Sequence, residues 1–324
     1  MLIYLIYLFL LLKEKLIWFR LFKEYKQTDM HPINMHPQIN MHPINMHPIN
    51  MHIRDANIHF DPVPHTYTID DGKADADGRA EKEKKYTSVT TWNHSHFAEF
   101  DADAIIKKMR LDSPSSKYYG QTPDQIKAGW DKNRDEAADA GTKMHYYIEC
   151  YYNAMLNKTT STIVADADTK ELTYFHNFAA AFQSKYPHYK PYRTEWMIYD
   201  EDLQLAGSID MVFENVLDGT LFIYDWKRAK EIKKQSAFMT FALTDCISHL
   251  PDTNFWHYAL QLNTYKTILE RKYAKTVTDL VLVILHPENK NGNYQTLPVP
   301  ILKKEIEDLF ALRKEQLLLL EKDK

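Results

Sequence analysis

An apolar hairpin whose two runs carry two aspartates and a lysine is the feature that most constrains this chain of 324 residues. The stretch LAGSIDMVFENVLDGTLFIYDWKRAK, residues 205–230, consists of two apolar runs joined by NVLDG, a typical turn sequence. Asp210 lies in the first run, and Asp225 and Lys227 lie in the second. Strand side chains alternate between faces, so Asp225 and Lys227 share one face, and pairing of the strands can bring Asp210 beside Asp225. These charges require partners, because an unpaired buried charge is costly.

The three charges have the composition of a hydrolytic metal site. Two carboxylates held close together repel each other, and a divalent cation between them removes that repulsion. Carboxylates fix a hard cation, which lowers the pKa of a bound water, and Lys227 would orient or stabilise the resulting hydroxide. The alternative is a structural salt bridge on an exposed sheet face, which an Asp-x-Lys pattern alone does not exclude. Asp210, in a strand of the same apolar character, favours metal-assisted hydrolysis.

Two predicted helices carry polar pairs that are four residues apart and therefore share a helix face. In AGTKMHYYIECYY the pair is His145 and Glu149, which could complete a metal shell from a second element. In YALQLNTYKTILE the pair is Gln261 and Tyr265, an amide and a phenol that suit a phosphate or base contact. Taken alone, the His145–Glu149 spacing favours an ordinary surface hydrogen bond, and the Gln261–Tyr265 spacing carries no functional signal.

Together these segments resemble the RecB-like branch of the PD-(D/E)XK nuclease superfamily. AGTKMHYYIE is similar to its first-helix motif, LAGSIDMVFE to its first aspartate strand, LFIYDWK to its D/E-x-K strand and ALQLNTY to its Q-x-x-x-Y helix. The four motifs occur in the family's order within residues 86–300. The resemblance implies an α/β fold with a restriction-endonuclease-like core, in which helices flank a mixed central β-sheet.

The resemblance also implies roles for individual residues. Asp210 and Asp225 would ligate Mg²⁺ or Mn²⁺ together with His145 and the Trp226 carbonyl, and Lys227 would position the attacking water. Glu149 and Glu195 would support these ligands or bind a second ion. The remaining predicted residues would contact nucleic acid: Gln261, Tyr265, Arg228, Lys230 and Ser88, the last from a segment, KYTSVTTW, that resembles the opening of the nuclease domain in some members.

The cysteine count, the lack of a phosphate-binding loop and the net charge limit the possible cofactors and partners. Several members of the family hold an iron–sulfur cluster with four cysteines, whereas this chain has two, so we expect a cluster-free protein in a reducing, intracellular compartment. No Walker-type loop is present, so any helicase or recombination partner would be a separate protein. The formal net charge is −4, so binding of DNA single strands or duplex ends requires local basic surface, for which residues 227–234 are the candidate.

The chain divides into three predicted regions. Residues 1–28 are an apolar and amphipathic segment, for which a membrane-associating anchor, a buried helix and sequence upstream of the true start remain open. Residues 29–52 are a low-complexity MHPIN repeat, whose regular prolines predict disorder or an extended chain. Residues 53–324 are the predicted nuclease domain, with a C-terminal helix at 301–324. A catalytically silent DNA-binding scaffold and a membrane-associated protein remain as alternative functions.

Within this domain, hydrophobic periodicity predicts alternating helices and strands. Helices are expected at residues 101–109, 125–157, 172–186, 256–271 and over the last 22 residues. Strands are expected at residues 65–70, 84–92, 194–199, 204–214, 221–226, 278–286 and, as a proline-containing edge strand, 293–301.

Overall fold

The computed structural model of the chain describes the globular region and little of what precedes it. The described residues are 49–61, 64–70, 84–157, 169–236 and 238–322. The predicted segment 1–28 and the repeat up to residue 48 lie outside them. The end of the repeat contacts the domain, since Asn50 Nδ2 donates a hydrogen bond to the Tyr192 carbonyl at 3.1 Å and His52 caps the 3₁₀ helix Ile53–Asn57.

The described strands form one mixed sheet, which confirms the predicted α/β class. The order is β1-β2-β3-β5-β6-β7-β8, and β4 pairs with β5 outside this path. The β3–β5 and β6–β7 pairs are parallel, and the other pairs are antiparallel. The strands are β1 Ile58–Asp61, β2 Thr66–Ile69, β3 Lys84–Ser88, β4 Tyr189–Asp200, β5 Leu205–Asn215, β6 Leu221–Lys227, β7 Val277–Ile284 and β8 Gln295–Pro298.

Helices lie on both faces of this sheet. The longest helix begins at Pro123, a position where the missing N–H of proline costs no helical hydrogen bond. The side chains of Thr122 and Gln125 each accept a hydrogen bond from the backbone N–H of the other residue. The α-helices are α1 Val89–His94, α2 Ala102–Lys107, α3 Pro123–Asn157, α4 Lys170–Lys185, α5 Asn254–Lys272 and α6 Lys303–Lys322, and a second 3₁₀ helix spans Asp245–Ile247. No helix among these described segments is long and apolar enough to cross a membrane.

Strand β6 is buried on both faces, which explains its continuous apolar sequence. Leu221 and Ile223 pack in the core on the α5 side, with residues of α1 and α6. Phe222, Tyr224 and Trp226 alternate to the other face and pack against α3 and α4. Asp225 and Lys227 therefore follow Leu221 and Ile223 toward α5.

The predicted helices and strands are present with shifted ends, the largest shift being in β4, which begins at Tyr189 rather than at the predicted 194. One prediction needs correction. Residues 84–92 were expected to form a single strand, but β3 ends at Ser88 and α1 begins at Val89. The physical reason is an N-cap, because Ser88 Oγ accepts a hydrogen bond from the Thr91 backbone N–H at 3.0 Å. The short strand β1 was not predicted.

Candidate metal centre

Strand β5 lies at a fork in the sheet, and Asp210 lies at the point where the fork opens. Strand β4 occupies one edge of β5 along its whole length. The other edge is divided, because β3 pairs with the first two residues of β5 whereas β6 pairs with Met211–Glu214. Asp210 comes directly before the β6 pairing, and its Oδ2 accepts a hydrogen bond from the Trp226 backbone N–H at 3.0 Å. The carboxylate thus joins β5 to the end of β6.

Glu195 of β4 is held beside Asp210 by an unusual backbone conformation. Its φ is +40°, in the left-handed region, which costs a residue other than glycine about 1–3 kcal/mol. Pairing of Thr194 with Met211 and of Trp196 with Ile209 places Glu195 opposite Asp210. Strain of this kind is common at functional sites, because the surrounding structure maintains it.

Thr194 and Trp196, on either side of Glu195, point to opposite faces of the sheet, although residues two apart share a face in a regular strand. Trp196 packs in the core on the α5 side, whereas Thr194 donates a hydrogen bond to Asn153 Oδ1 of α3 at 2.7 Å. Glu195 is fixed between them, since Ser208 Oγ donates to its Oε2 at 2.8 Å. Its other oxygen, Oε1, lies 4.0 Å from His145 Nδ1.

His145 approaches the two carboxylates from the face of the sheet that α3 covers. Its Nε2 lies 3.0 Å from the Trp226 carbonyl oxygen, which can only accept, so Nε2 carries the proton. Nδ1 then presents a lone pair 3.6 Å from Asp210 Oδ2. A backbone carbonyl that fixes the tautomer in this way is a common support for a metal-binding histidine.

His145, Glu195 and Asp210 together form a candidate cation site. One ligand atom from each lies within 4.8 Å of the other two, and all three side chains are half-buried. Carboxylate oxygens suit Mg²⁺ and Mn²⁺, and an imidazole nitrogen adds a preference for Mn²⁺. These residues therefore fit a resident divalent cation.

The electrostatics around the three ligands show a local excess of negative charge. Burial raises the pKa of Asp210, and Glu195 raises it further, whereas His145 lowers it when its ring is protonated. One turn along α3, burial together with the Glu195 carboxylate raises the pKa of Glu149 to about 8. A cation would relieve this crowding. Glu149 lies next to the ligands, as expected of a supporting residue.

Asp225 and Lys227 form a buried ion pair beside the cluster. The Lys227 ammonium lies 2.7 Å from Asp225 Oδ2, with only about 5% of each residue exposed, and 4.5 Å from the centre of the Tyr258 ring. Burial raises the pKa of Asp225 to about 6, while Lys227 lowers it and Asp210 raises it. Asp225, predicted as a metal ligand, is thus engaged by the lysine. Glu195, predicted in a supporting role, lies in the three-residue cluster instead.

The Trp226 side chain and its carbonyl have separate surroundings. The indole is buried among aromatic rings, with the Phe178 ring centre 5.4 Å away. The carbonyl, predicted as a metal ligand, accepts the hydrogen bond from His145. Metal ligation by this oxygen stays a prediction, and it would use the second lone pair of the carbonyl.

Gln261 and Tyr265 of α5 lie on the same helix face, as predicted, but the phenol is buried. Tyr265 is 2% exposed and Gln261 is 9% exposed. Gln261 Nε2 donates hydrogen bonds to Tyr265 Oη at 3.2 Å and to Thr90 Oγ1 at 3.1 Å. The Tyr265 ring covers Gly207, where a Cβ would lie 2.7 Å from Tyr265 Cε1. Tyr265 therefore orients the Gln261 side chain through this hydrogen bond.

The predicted basic strip is largely paired with acids. Arg228 Nε lies 2.7 Å from Glu171 Oε1 of α4, and Lys230 forms an ion pair with Glu288. Ser88, predicted to contact nucleic acid, is the N-cap of α1 and also donates to Thr91 Oγ1. Contacts of these residues with nucleic acid remain predictions.

Two features of the site were not predicted, and only one of them has a signal in the sequence. The position of Glu195 depends on a backbone strain that no local sequence signal marks. Gly207 was visible as a glycine inside an apolar strand, which often indicates close approach of another group. That signal would have predicted the tight contact with α5.

A scan against protein-family models finds no match for this chain, and a search of curated proteins finds no similar sequence. Membership of the RecB-like branch therefore remains an expectation that depends on the residues described above.

Proposed function

We propose that this chain is a metal-dependent nuclease that hydrolyses phosphodiester bonds in DNA, acting on ends or single strands. The observation that supports it best is the convergence of His145, Glu195 and Asp210 beside the buried Asp225–Lys227 pair. Ligands for a hard cation next to a fixed ammonium group are what phosphodiester hydrolysis requires. A separate helicase or recombination protein would supply unwound DNA.

In this proposal the cation is Mg²⁺ or Mn²⁺, held by His145, Glu195 and Asp210. When bound, it would act as a Lewis acid toward the phosphate and promote ionisation of water. The protein contributes the positions of the groups around it. Lys227, fixed by Asp225 and the face of Tyr258, donates a hydrogen bond that orients the nucleophile or stabilises charge on the phosphate.

Gln261 would position the strand that is cut. Its Nε2 donates to both Thr90 and Tyr265, which uses both amide N–H groups, so the fixed Oε1 is the atom that would accept a hydrogen bond from a base, with little loss of conformational entropy. Its place on α5, one turn beyond Tyr258, puts it on the same side of the sheet as Lys227.

The test is a degradation time course on DNA labelled at the 5′ or the 3′ end, as single strands and duplexes, with Mg²⁺, Mn²⁺ or EDTA. We expect metal-dependent cleavage that falls at least a hundredfold in Asp210→Asn and in Lys227→Gln. Asp218→Asn, in the exposed turn of the same hairpin, is the matched control and should cleave normally. Cleavage that persists in Lys227→Gln, or DNA binding with no cleavage under any of these conditions, contradicts the proposal.

A further inference from the structure

The long loop between β6 and α5 exposes apolar side chains directly after the strand that carries Lys227. The loop spans residues 228–253. Apolar residues at such exposure are unusual when they cluster, and clusters commonly mark binding surfaces. The exposed members, which we name the apolar tip, are Phe238 (60% exposed), Met239 (80%), Phe241 (43%) and Leu243 (65%).

The apolar tip is held in place by hydrogen bonds at its base. Ser236 Oγ accepts from the Phe238 and Thr240 backbone N–H groups, and its hydroxyl lies 2.7 Å from Thr240 Oγ1. Met239 has a φ of +52°, which the turn maintains against its steric cost. This network presents Phe238 and Met239 to solvent.

Both flanks of the loop are tied to the rest of the domain by hydrogen bonds. On one flank, the Asn254 side chain donates to the Glu231 carbonyl and accepts from the Lys233 N–H, both at 2.8 Å. On the other flank, the Leu243 N–H donates to the His96 carbonyl at 2.8 Å. Phe241 pairs with Pro251 in an isolated β-bridge, just before α5.

The chain path places the tip within reach of the metal centre. Tyr258, whose ring contacts Lys227, lies four residues into α5, or roughly 6 Å at the helical rise, and Pro251 lies three residues before α5, at most about 11 Å further. A strand of nucleic acid cut beside Lys227 would therefore pass the tip within a few nucleotides.

The first part of this loop, before the 3₁₀ helix Asp245–Ile247, contains more basic than acidic residues. Residues 228–243 contain four basic residues and one acidic residue, in a chain whose net charge is −4. Lys234 has no acidic partner within 4.0 Å among the described residues, and its ammonium lies 4.4 Å from the centre of the Phe255 ring. The Lys230–Glu288 pair is half exposed, and such pairs contribute little, so a phosphate could displace the glutamate at small cost.

We infer that the apolar tip is a stacking platform for the unpaired bases of a single-stranded nucleic acid, with Lys234 and Lys230 contacting its phosphates. The inference builds on the proposed function, because it assigns the single strand as the substrate class of that site. Exposed aromatic rings beside cations are what single-strand binding uses, since every base offers a flat face. In a duplex the base faces are already stacked, so a duplex gains nothing from Phe238 and Phe241.

Charge distinguishes this occupant from an apolar protein surface. An apolar partner would leave Lys234 without a counterion, whereas the phosphates of a strand provide one at every nucleotide. The ammonium groups of Lys230 and Lys234 come shortly before the rings of Phe238 and Phe241 in the same loop, so one bound strand would contact both.

The experiment measures binding without cleavage. Fluorescein-labelled dT20, rU20, a 20-base-pair duplex and an abasic 20-mer are titrated with the full chain in EDTA, and anisotropy is recorded. We expect dT20 and rU20 to bind more tightly than the duplex and the abasic strand. Phe238→Ala combined with Phe241→Ala should weaken dT20 binding about tenfold or more and leave abasic binding unchanged. Phe238→Trp should retain wild-type affinity.

The matched control is Leu318→Ala combined with Leu319→Ala, which removes equally exposed apolar side chains from α6 and should not alter dT20 binding. The inference is overturned if the phenylalanine variant binds dT20 normally, if it loses abasic binding equally, or if the wild type binds lipid vesicles through these residues and no strand. Because EDTA abolishes metal chemistry, failed cleavage with intact dT20 binding refutes only the proposed function. Normal cleavage with unchanged binding by the phenylalanine variant refutes only the stacking platform.

Discussion

Substitution of Gly207 by alanine tests the packing that orients Gln261. The added Cβ would lie 2.7 Å from Cε1, 2.9 Å from Oη and 3.2 Å from Cζ of Tyr265. Favourable carbon–carbon contacts lie near 3.5–4.0 Å, so the ring or the helix has to move by roughly 1 Å. Tyr265 is 2% exposed, so the ring cannot relieve the contact by turning into solvent.

The expected cost follows from overpacking of a dense core. Such insertions cost about 1–3 kcal/mol, and reduced backbone freedom in the unfolded chain returns about 0.4–1 kcal/mol. A net loss of about 1–2 kcal/mol corresponds to a fall in Tm of roughly 2–8 °C for a domain of this size. Displacement of Tyr265 would also misplace Gln261, so cleavage should fall more than stability alone explains.

The assay is urea unfolding followed by circular dichroism, with a double-mutant cycle. Gly129→Ala in α3 is the control, because its added Cβ has no atom within 4 Å apart from the adjoining helix backbone, and alanine favours the helix. In a Tyr265→Leu background, which removes the three clashing atoms, Gly207→Ala should cost about 1 kcal/mol less than in the wild type. Equal costs in both backgrounds, or an unchanged wild-type midpoint, would refute the packing argument.

Two further predictions concern buried charge and pH. Lys227→Met should destabilise the fold by about 3 kcal/mol, because it leaves the buried Asp225 without its partner. Asp225→Asn combined with Lys227→Met should cost less, because no unpaired charge remains. A lower urea midpoint for the double variant than for Lys227→Met would contradict this. Burial lowers the pKa of His94 and of His96 to about 4 from the ordinary 6.5, so the unfolded chain takes up protons below pH 6.5 that the folded chain refuses. Stability should therefore be fully present above pH 6.5 and fall by on the order of 1 kcal/mol per pH unit for each histidine toward pH 4. Unfolding midpoints between pH 7.5 and 5 should decline less steeply in His94→Gln combined with His96→Gln, and equal slopes would show that these rings do not contribute.

Periodicity predicted most of the fold, because the relevant signals lie within each element. The alternation in β5 and β6 and the helical spacing in α3 and α5 depend on residues a few positions apart. The error at residues 84–92 has the same local character, since Ser88 is an N-cap that ends the strand. Its β-branched neighbours Val89, Thr90 and Thr91 obscured that signal.

The candidate site was predicted in its membership but not in its internal arrangement. His145, Asp210, Asp225 and Lys227 do meet at one place. Which carboxylate joins His145 and Asp210 depends on the register of three strands and on the positive φ of Glu195, and neither is encoded in local spacing. Likewise, pairing of the basic strip with Glu171 and Glu288 joins residues more than fifty positions apart.

Direct measurement of Mn²⁺ binding tests the central claim, that His145, Glu195 and Asp210 form a cation site. Electron paramagnetic resonance reports free Mn²⁺ during titration of the wild type, Asp210→Asn, Glu195→Gln and the control Asp218→Asn. We predict saturable binding in the wild type and in the control, and affinity reduced at least tenfold by either change in the cluster. Absence of saturable binding, or equal affinity in all four proteins, would contradict the metal centre.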